Sequence, residues 1–251
     1  MEGGWPVVRT RLDLKGNAIL FSEMTPPDGA EDAFNDWYDN HHTPNHVQGV
    51  PGFISAMRYK SPAGPHYLAV YELESTDTLQ SQAYRQRKFT PDDSTRQMLL
   101  SVSGFTRYVA VEVFALARPE PALAPLDAPV LFCLFLSVPG EHWSEFGDWF
   151  DREHAPILLS DPDWLMTRRF ETVACDPEHY SHIVLHYLAD QRALSSETMA
   201  RARATDWYRK LAGHRWFKPH SVTYHRRRDR FVKAAAHAAG PTPTLTEGGQ
   251  P

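Results

Sequence analysis

The sequence predicts an α+β fold: two tandem ferredoxin-like βαββαβ repeats packed sheet to sheet. Three observations carry this expectation. The stretch FNDWYDNHHTP at Phe34–Pro44 returns as FGDWFDREHAP at Phe146–Pro156, with six of eleven positions identical. The agreement continues downstream, where FISAMRY (53–59) lies against WLMTRRF (164–170) and YLAVYEL (67–73) against HIVLHYL (182–188). Each copy also reads as the same succession of strand-like and helix-like segments.

Taken in order, AILFSEM (18–24) and VLFCLFLSV (130–138) are apolar, β-rich runs of strand length. Phe34, Trp37, Tyr38 and His41, or Phe146, Trp149, Phe150 and Glu153, then recur at helical spacing. Pro44 and Pro156 are expected to end that helix, because the residue before a proline is pushed out of the helical region. Two strands follow in each half. A second helix is expected around 78–102 and 194–214, and a last strand over 105–116 and 217–226. A sheet with helices on one face must cover the other, and two copies set face to face do so. The repeats occupy 17–116 and 130–230, the Pro- and Ala-rich segment 117–129 joins them, and 231–251 is expected to be a disordered tail.

Composition narrows the function. With 251 residues, 42% of them hydrophobic and 23% charged, a folded soluble chain is expected. A net charge of −5 gives no footprint for nucleic acid, and Arg226-Arg227-Arg228 reads as a solvated strand end. Cys133 and Cys175 have no metal-ligand spacing, which fits a reducing, cytoplasmic setting. The amino terminus lacks a secretory pattern, and the longest apolar run, PVLFCLFLSVP, is too short to span a bilayer. G-x-G-x-x-G, P-loop, G-x-S-x-G and H-E-x-x-H patterns are missing, which argues against nucleotide-dependent and serine-hydrolase chemistry.

The segment F-x-x-W-Y-[DN]-x-x-H-x-P, followed by P-G-F and an A-x-R-Y strand, resembles the EthD-like branch of the dimeric α+β barrel superfamily. The resemblance covers roughly residues 17–230. It implies two ferredoxin-like units fused in one chain, enclosing a cavity between their sheets. Related barrels include cofactor-free monooxygenases, isomerases, cyclases, dehalogenases and haem enzymes, so the fold does not name the reaction.

Residue by residue, the repeated His42 and His154 are the first candidates for an acid or base, since imidazole works near neutral pH. Asp39 and Asp151, three residues earlier, are placed to fix an imidazole tautomer; the competing reading is that each His shapes its own helix end. His41 and His46 make the first half richer in imidazole than the second. A metal held by His42 and His46 is not expected, because Pro44 should break the helix between them. Alternation along the third strands puts His182 and His186, and likewise Tyr67 and Tyr71, in the space between the sheets, with Ile183 and Leu185 under the helices. Arg58 and Arg169 could hold an anionic group. The leading expectation is therefore a small-molecule enzyme acting on an aromatic or conjugated substrate by cofactor-independent His acid/base chemistry of isomerase, cyclase or lyase type. A haem-binding barrel, a cofactorless oxygenase and a non-catalytic ligand-binding module are the alternatives. No cofactor, metal, nucleic-acid or membrane partner is expected, and pairing into a homodimer stays open.

Overall fold

The apolar run of β1 (Ala18–Thr25) lies between β3 (Tyr67–Leu73) and β4 (Ser103–Ala117), and β2 (Phe53–Lys60) pairs with β3, all antiparallel. The second half repeats the pattern: β5 (Val130–Leu136) lies between β7 (His182–Leu188) and β8 (His220–Arg226), and β6 (Trp164–Asp176) pairs with β7. This is a computed structural model in which residues 14–233 are described. The halves join twice, along β4 and β6 from Arg107↔Asp176 to Ala117↔Met166, and at Tyr59↔Arg226 and Lys60↔His225 of β2 and β8. Because β2 also pairs with β3, the eight strands close into a ring, which removes the exposed edges of two separate sheets. Phe231–Val232 forms β9 against Ala56 and Ser55 of β2, so the expected tail is paired at its first residues; 234–251 lie outside the described residues.

Helices cover the outer face of each half. The first half carries α1 (Glu31–Trp37), α2 (Thr43–Val47), α3 (Gln82–Phe89) and α4 (Asp93–Ser101). The second carries α5 (Trp143–Trp149), α6 (Ala155–Leu158), α7 (Glu197–Arg203) and α8 (Asp206–Ala212). Side chains of Ser81, Asp92, Ser196 and Thr205 cap α3, α4, α7 and α8 by accepting from a backbone N–H three residues on.

The repeated motif departs from expectation at its proline. Pro44 and Pro156 do not end the helix; a five-residue π turn, Tyr38–His42 or Phe150–His154, carries α1 into α2 and α5 into α6. In that turn Thr43 N–H donates to Tyr38 O, and Ala155 N–H to Phe150 O, one residue farther back than in an α-helix. The wider turn leaves room for a ring that would clash with a carbonyl four residues back, and no α-type bond is demanded of the missing proline N–H. His42 and His46 therefore stay on one helical face, with ring centroids 4.5 Å apart.

The facing of the third strands is also the reverse of expectation. Ile183, Leu185 and Tyr187, with Leu68 and Val70, point into the barrel and join Phe21, Met57, Phe135 and Phe170 in one apolar cluster. His182, His186, Tyr67 and Tyr71 face the helices instead. Tyr67 and Tyr71 pack with Phe34, Trp37 and Tyr38, while His182 meets Phe146 at 5.2 Å and His186 meets Trp164 at 4.9 Å. The physical reason lies in the helices, whose inward residues are mostly rings. Rings accept imidazole and phenol neighbours edge-on, whereas the closed barrel packs Ile183, Leu185, Leu68 and Val70 among its own rings, where an imidazole would meet few polar partners. The space between the sheets, expected to be the ligand cavity, is occupied by this cluster, including Leu126 and Ala128 of the linker.

Polar groups sit at both ends of the barrel interior. At one end Arg168, fully buried, gives Glu72 two hydrogen bonds (2.6 and 3.0 Å), Glu112 one (2.5 Å) and Tyr187 Oη one (3.1 Å), tying β6 of the second half to β3 and β4 of the first. At the other end Glu23 accepts from Thr106 Oγ1 (2.5 Å) and Tyr224 Oη and lies beside His66. The Arg226–Arg228 run is not simply solvated: Arg226 donates to Asp127 O, and Arg227 and Arg228 close on Asp39. No helix among the described residues is long and apolar enough to cross a membrane.

Candidate functional site

The π turn and α2 of the first half lie opposite α3 and the start of α4, leaving a cleft of about 420 Å³ lined by His42, Asn45, His46, Gln86, Arg87 and Asp92 among others. His42, the last residue of the π turn, lies against Trp37 (4.5 Å) on one side and His46 (4.5 Å) on another, with Tyr38 edge-on at 4.9 Å. Among the described residues none hydrogen-bonds its ring. Burial pushes its pKa well below 6.5, and the neighbouring His46 and Arg58 push the same way, so the ring is neutral at pH 7 with a free lone pair.

His46 has a defined tautomer. Its Nδ1 lies 2.9 Å from the His42 carbonyl oxygen, which can only accept, so Nδ1 carries the proton and Nε2 the lone pair. Burial lowers its pKa as well. Arg87 donates to Ala83 O (3.3 Å) and has no carboxylate partner among the described residues. Gly49 lets the guanidinium lie against α2; a Cβ there would stand 2.2 Å from Arg87 Nη2 and 2.6 Å from Asn45 O.

His41 is committed elsewhere. Its Nε2 lies 2.9 Å from Asp92 Oδ2, whose carboxylate also accepts from Thr95 N (2.9 Å). The Thr95 N–H first, and His41 second, hold that carboxyl well below the usual range. The second half makes the same tie with different chemistry, Thr205 Oγ1 donating to Glu153 at 2.7 Å, so this position fastens the π turn to the last helix.

Neither Asp of the motif orients a histidine. Asp39 accepts from Arg58 Nη1 at 2.5 Å, and Asp151 from Arg169 Nη2 at 2.8 Å and Nε at 3.2 Å. A buried guanidinium on β2 or β6 needs a counter-ion, and the Asp at the second position of the π turn faces the sheet to supply it. Arg58 is further occupied by Asn35 (3.0 Å) and the Tyr38 ring (4.1 Å). The two arginines expected to hold an anionic substrate are thus engaged within the fold.

The second half closes where the first is open. His154 stacks on Trp149 at 4.4 Å and lines a cavity of about 60 Å³, walled by Phe132, Phe146, Phe150, Tyr208 and Phe217. Its Nδ1 and Trp149 Nε1 are buried without partners among the described residues. Burial lowers its pKa to about 4. Nearby His186 is 2.7 Å from Thr167 Oγ1 and His182 2.9 Å from Ser181 Oγ; burial holds His186 well below 6.5 and His182 at about 4. Arg87 and Gln86 were not singled out by sequence, since nothing in motif spacing links them to His42. The one available hint was Asp92, a helix cap in PDDSTRQM.

No protein-family model matches the chain, and no curated protein matches it in sequence. Solved structures do match in shape. An anthrone oxidase-like protein superposes with a TM-score of 0.62 at 14% identity, covering 88% of this chain and 95% of its own. The chlorite dismutase from Candidatus Nitrospira defluvii superposes with a TM-score of 0.55 at 10% identity, covering 88% and 96%. The fold is that of the dimeric α+β barrels. At these identities the likeness concerns shape alone.

Proposed function

We propose that the first-half cleft is the active site of a cofactor-independent enzyme that moves a proton on a small, conjugated, carbonyl-bearing acid, in an isomerisation, cyclisation or lyase-type reaction. The observation that carries this reading is His42: a neutral imidazole that no described residue hydrogen-bonds, on a cleft of about 420 Å³ that also holds Arg87, which has no carboxylate partner among the described residues. Arg87 holds the substrate carboxylate or developing oxyanion, and His42 takes a proton from the activated carbon and returns it elsewhere. A base held this far below 6.5 removes protons only from acidic C–H bonds, such as those flanked by two carbonyls; an anionic ligand beside it raises its basicity. The polar lining suits such an acid better than a bare aromatic hydrocarbon. The repeated W-[YF]-D-x-x-H-x-P motif supports placing the chain in the EthD-like branch as a fused pair.

Haem fits the residues poorly. The His154 cavity is about 60 Å³ and its ring is stacked on Trp149, while the His42 cleft is walled by Asn45, Gln86 and Asp92 rather than the apolar faces a macrocycle needs. The test is hydrogen exchange in D₂O followed by NMR, over a panel of 1,3-dicarbonyl and unsaturated carboxylic acids. Catalysed deuterium incorporation that disappears in His42→Gln supports the reading. Exchange that survives that change, or turnover that consumes oxygen, would overturn it.

A further inference from the structure

In the other half, three side chains that this chemistry does not use converge at the surface. His142 ends a 3₁₀ turn, Glu145 lies in the first turn of α5, and His214 follows α8. One ligand atom from each lies within 4.8 Å of the other two. His142 Nδ1 is 3.8 Å from Glu145 Oε2, and the two imidazole rings are 4.7 Å apart. Both rings rest on Trp216, at 5.4 and 5.7 Å with interplanar angles of 31° and 24°, so one indole orients the pair. His142 stands at the N-cap position of α5 without using its side chain as a cap.

We propose that His142, Glu145 and His214 bind one divalent transition-metal ion of the zinc type. Two imidazole nitrogens and one carboxylate oxygen suit zinc, whereas magnesium and calcium ask for oxygen alone. Around a tetrahedral ion the ligand atoms stand roughly 3.3 Å apart, given metal–ligand bonds of about 2.0–2.1 Å, so modest side-chain rotations complete the geometry. The half-buried setting leaves a fourth position for water. Lys210 competes, with Nζ 2.5 Å from Glu145 Oε1, but Oε2 is the oxygen facing His142 and the exposed lysine can swing away on its flexible stem. A bound ion would fasten the start of α5 to the segment after α8, which continues into Phe217 and Pro219 of the second-half cavity wall. This site stands apart from the His42 cleft, so either reading can fail without the other.

Equilibrium dialysis of the full chain, stripped with chelator and then titrated with Zn²⁺, tests it. One equivalent should bind, weaken at least about tenfold in His214→Ala and Glu145→Gln, persist in His179→Ala, which changes an exposed histidine outside this cluster, and tighten in Lys210→Met. Circular dichroism checks that each variant is folded, and cobalt(II) added to the unaltered chain should give the intense visible bands of a four-coordinate site. No bound equivalent, an equivalent indifferent to both ligand changes, or a pale octahedral cobalt spectrum would overturn the proposal.

Discussion

His42 and His154 hold the same place in two copies of one motif and differ in what surrounds them. Both are neutral because burial penalises the charged ring, yet only His42 faces a cleft of substrate size. His42→Gln should lower turnover by about 10²- to 10⁴-fold, the usual contribution of a positioned base, while His154→Gln leaves it within a factor of a few. Steady-state kinetics on the substrate found by exchange checks both. His154 should instead show in stability. Its folded-state pKa of about 4 lies below the ordinary 6.5, so the unfolded chain binds the proton more readily. Its contribution is complete above pH 6.5 and is lost as the pH falls towards 4, on the order of 3 kcal/mol for this buried ring. Urea unfolding at pH 7 and pH 5 should therefore give a smaller difference for His154→Gln than for the unaltered chain; an equal difference would refute the assignment.

The π turn decides where the motif's side chains go. It sends the Asp towards the sheet, the next-to-last residue towards the final helix and the His along α2. Spacing alone, read as an ordinary helix stopped by proline, paired the Asp with the His and so misread its role. Gly49 is the other element-scale feature, since it allows α2 and α3 to approach closely enough for Arg87 to lie against the backbone. Gly49→Ala should displace the guanidinium and raise KM for an anionic substrate about tenfold or more with a smaller change in kcat. If KM is unaltered, Arg87 does not hold the substrate.

Across the whole molecule, the ring of eight strands is completed by contacts between halves, and the Arg168–Glu72–Glu112 cluster lies at one of those joints. Removing the guanidinium leaves a buried carboxylate unpaired, so Arg168→Met should destabilise the chain by about 3–5 kcal/mol. Adding Glu72→Met should recover much of that loss, because a well-packed apolar pair is often as stable as a buried ion pair. Chemical denaturation of the single and double variants measures it. A double variant no more stable than the single one would mean that the cluster does more than neutralise charge.

The α+β class and the strands were legible in the chain, because apolar periodicity is a local property; the second helix expected over 78–102 and over 194–214 is in each case two helices, the later ones started by the caps Asp92 and Thr205. Which face of a strand meets helices and which meets the barrel was not legible: alternation fixes that Ile183 and His182 point oppositely, but not which way, and the helix partners decided it. The cleft likewise depends on Arg87 and Asp92, some 45 to 50 residues beyond His42 and brought to it only when α3 and α4 pack on the π turn. Sequence determined the repeated parts; tertiary packing made one copy open and the other closed, because substitutions such as His46 for Leu158 change which side chains fill the space between helix and helix.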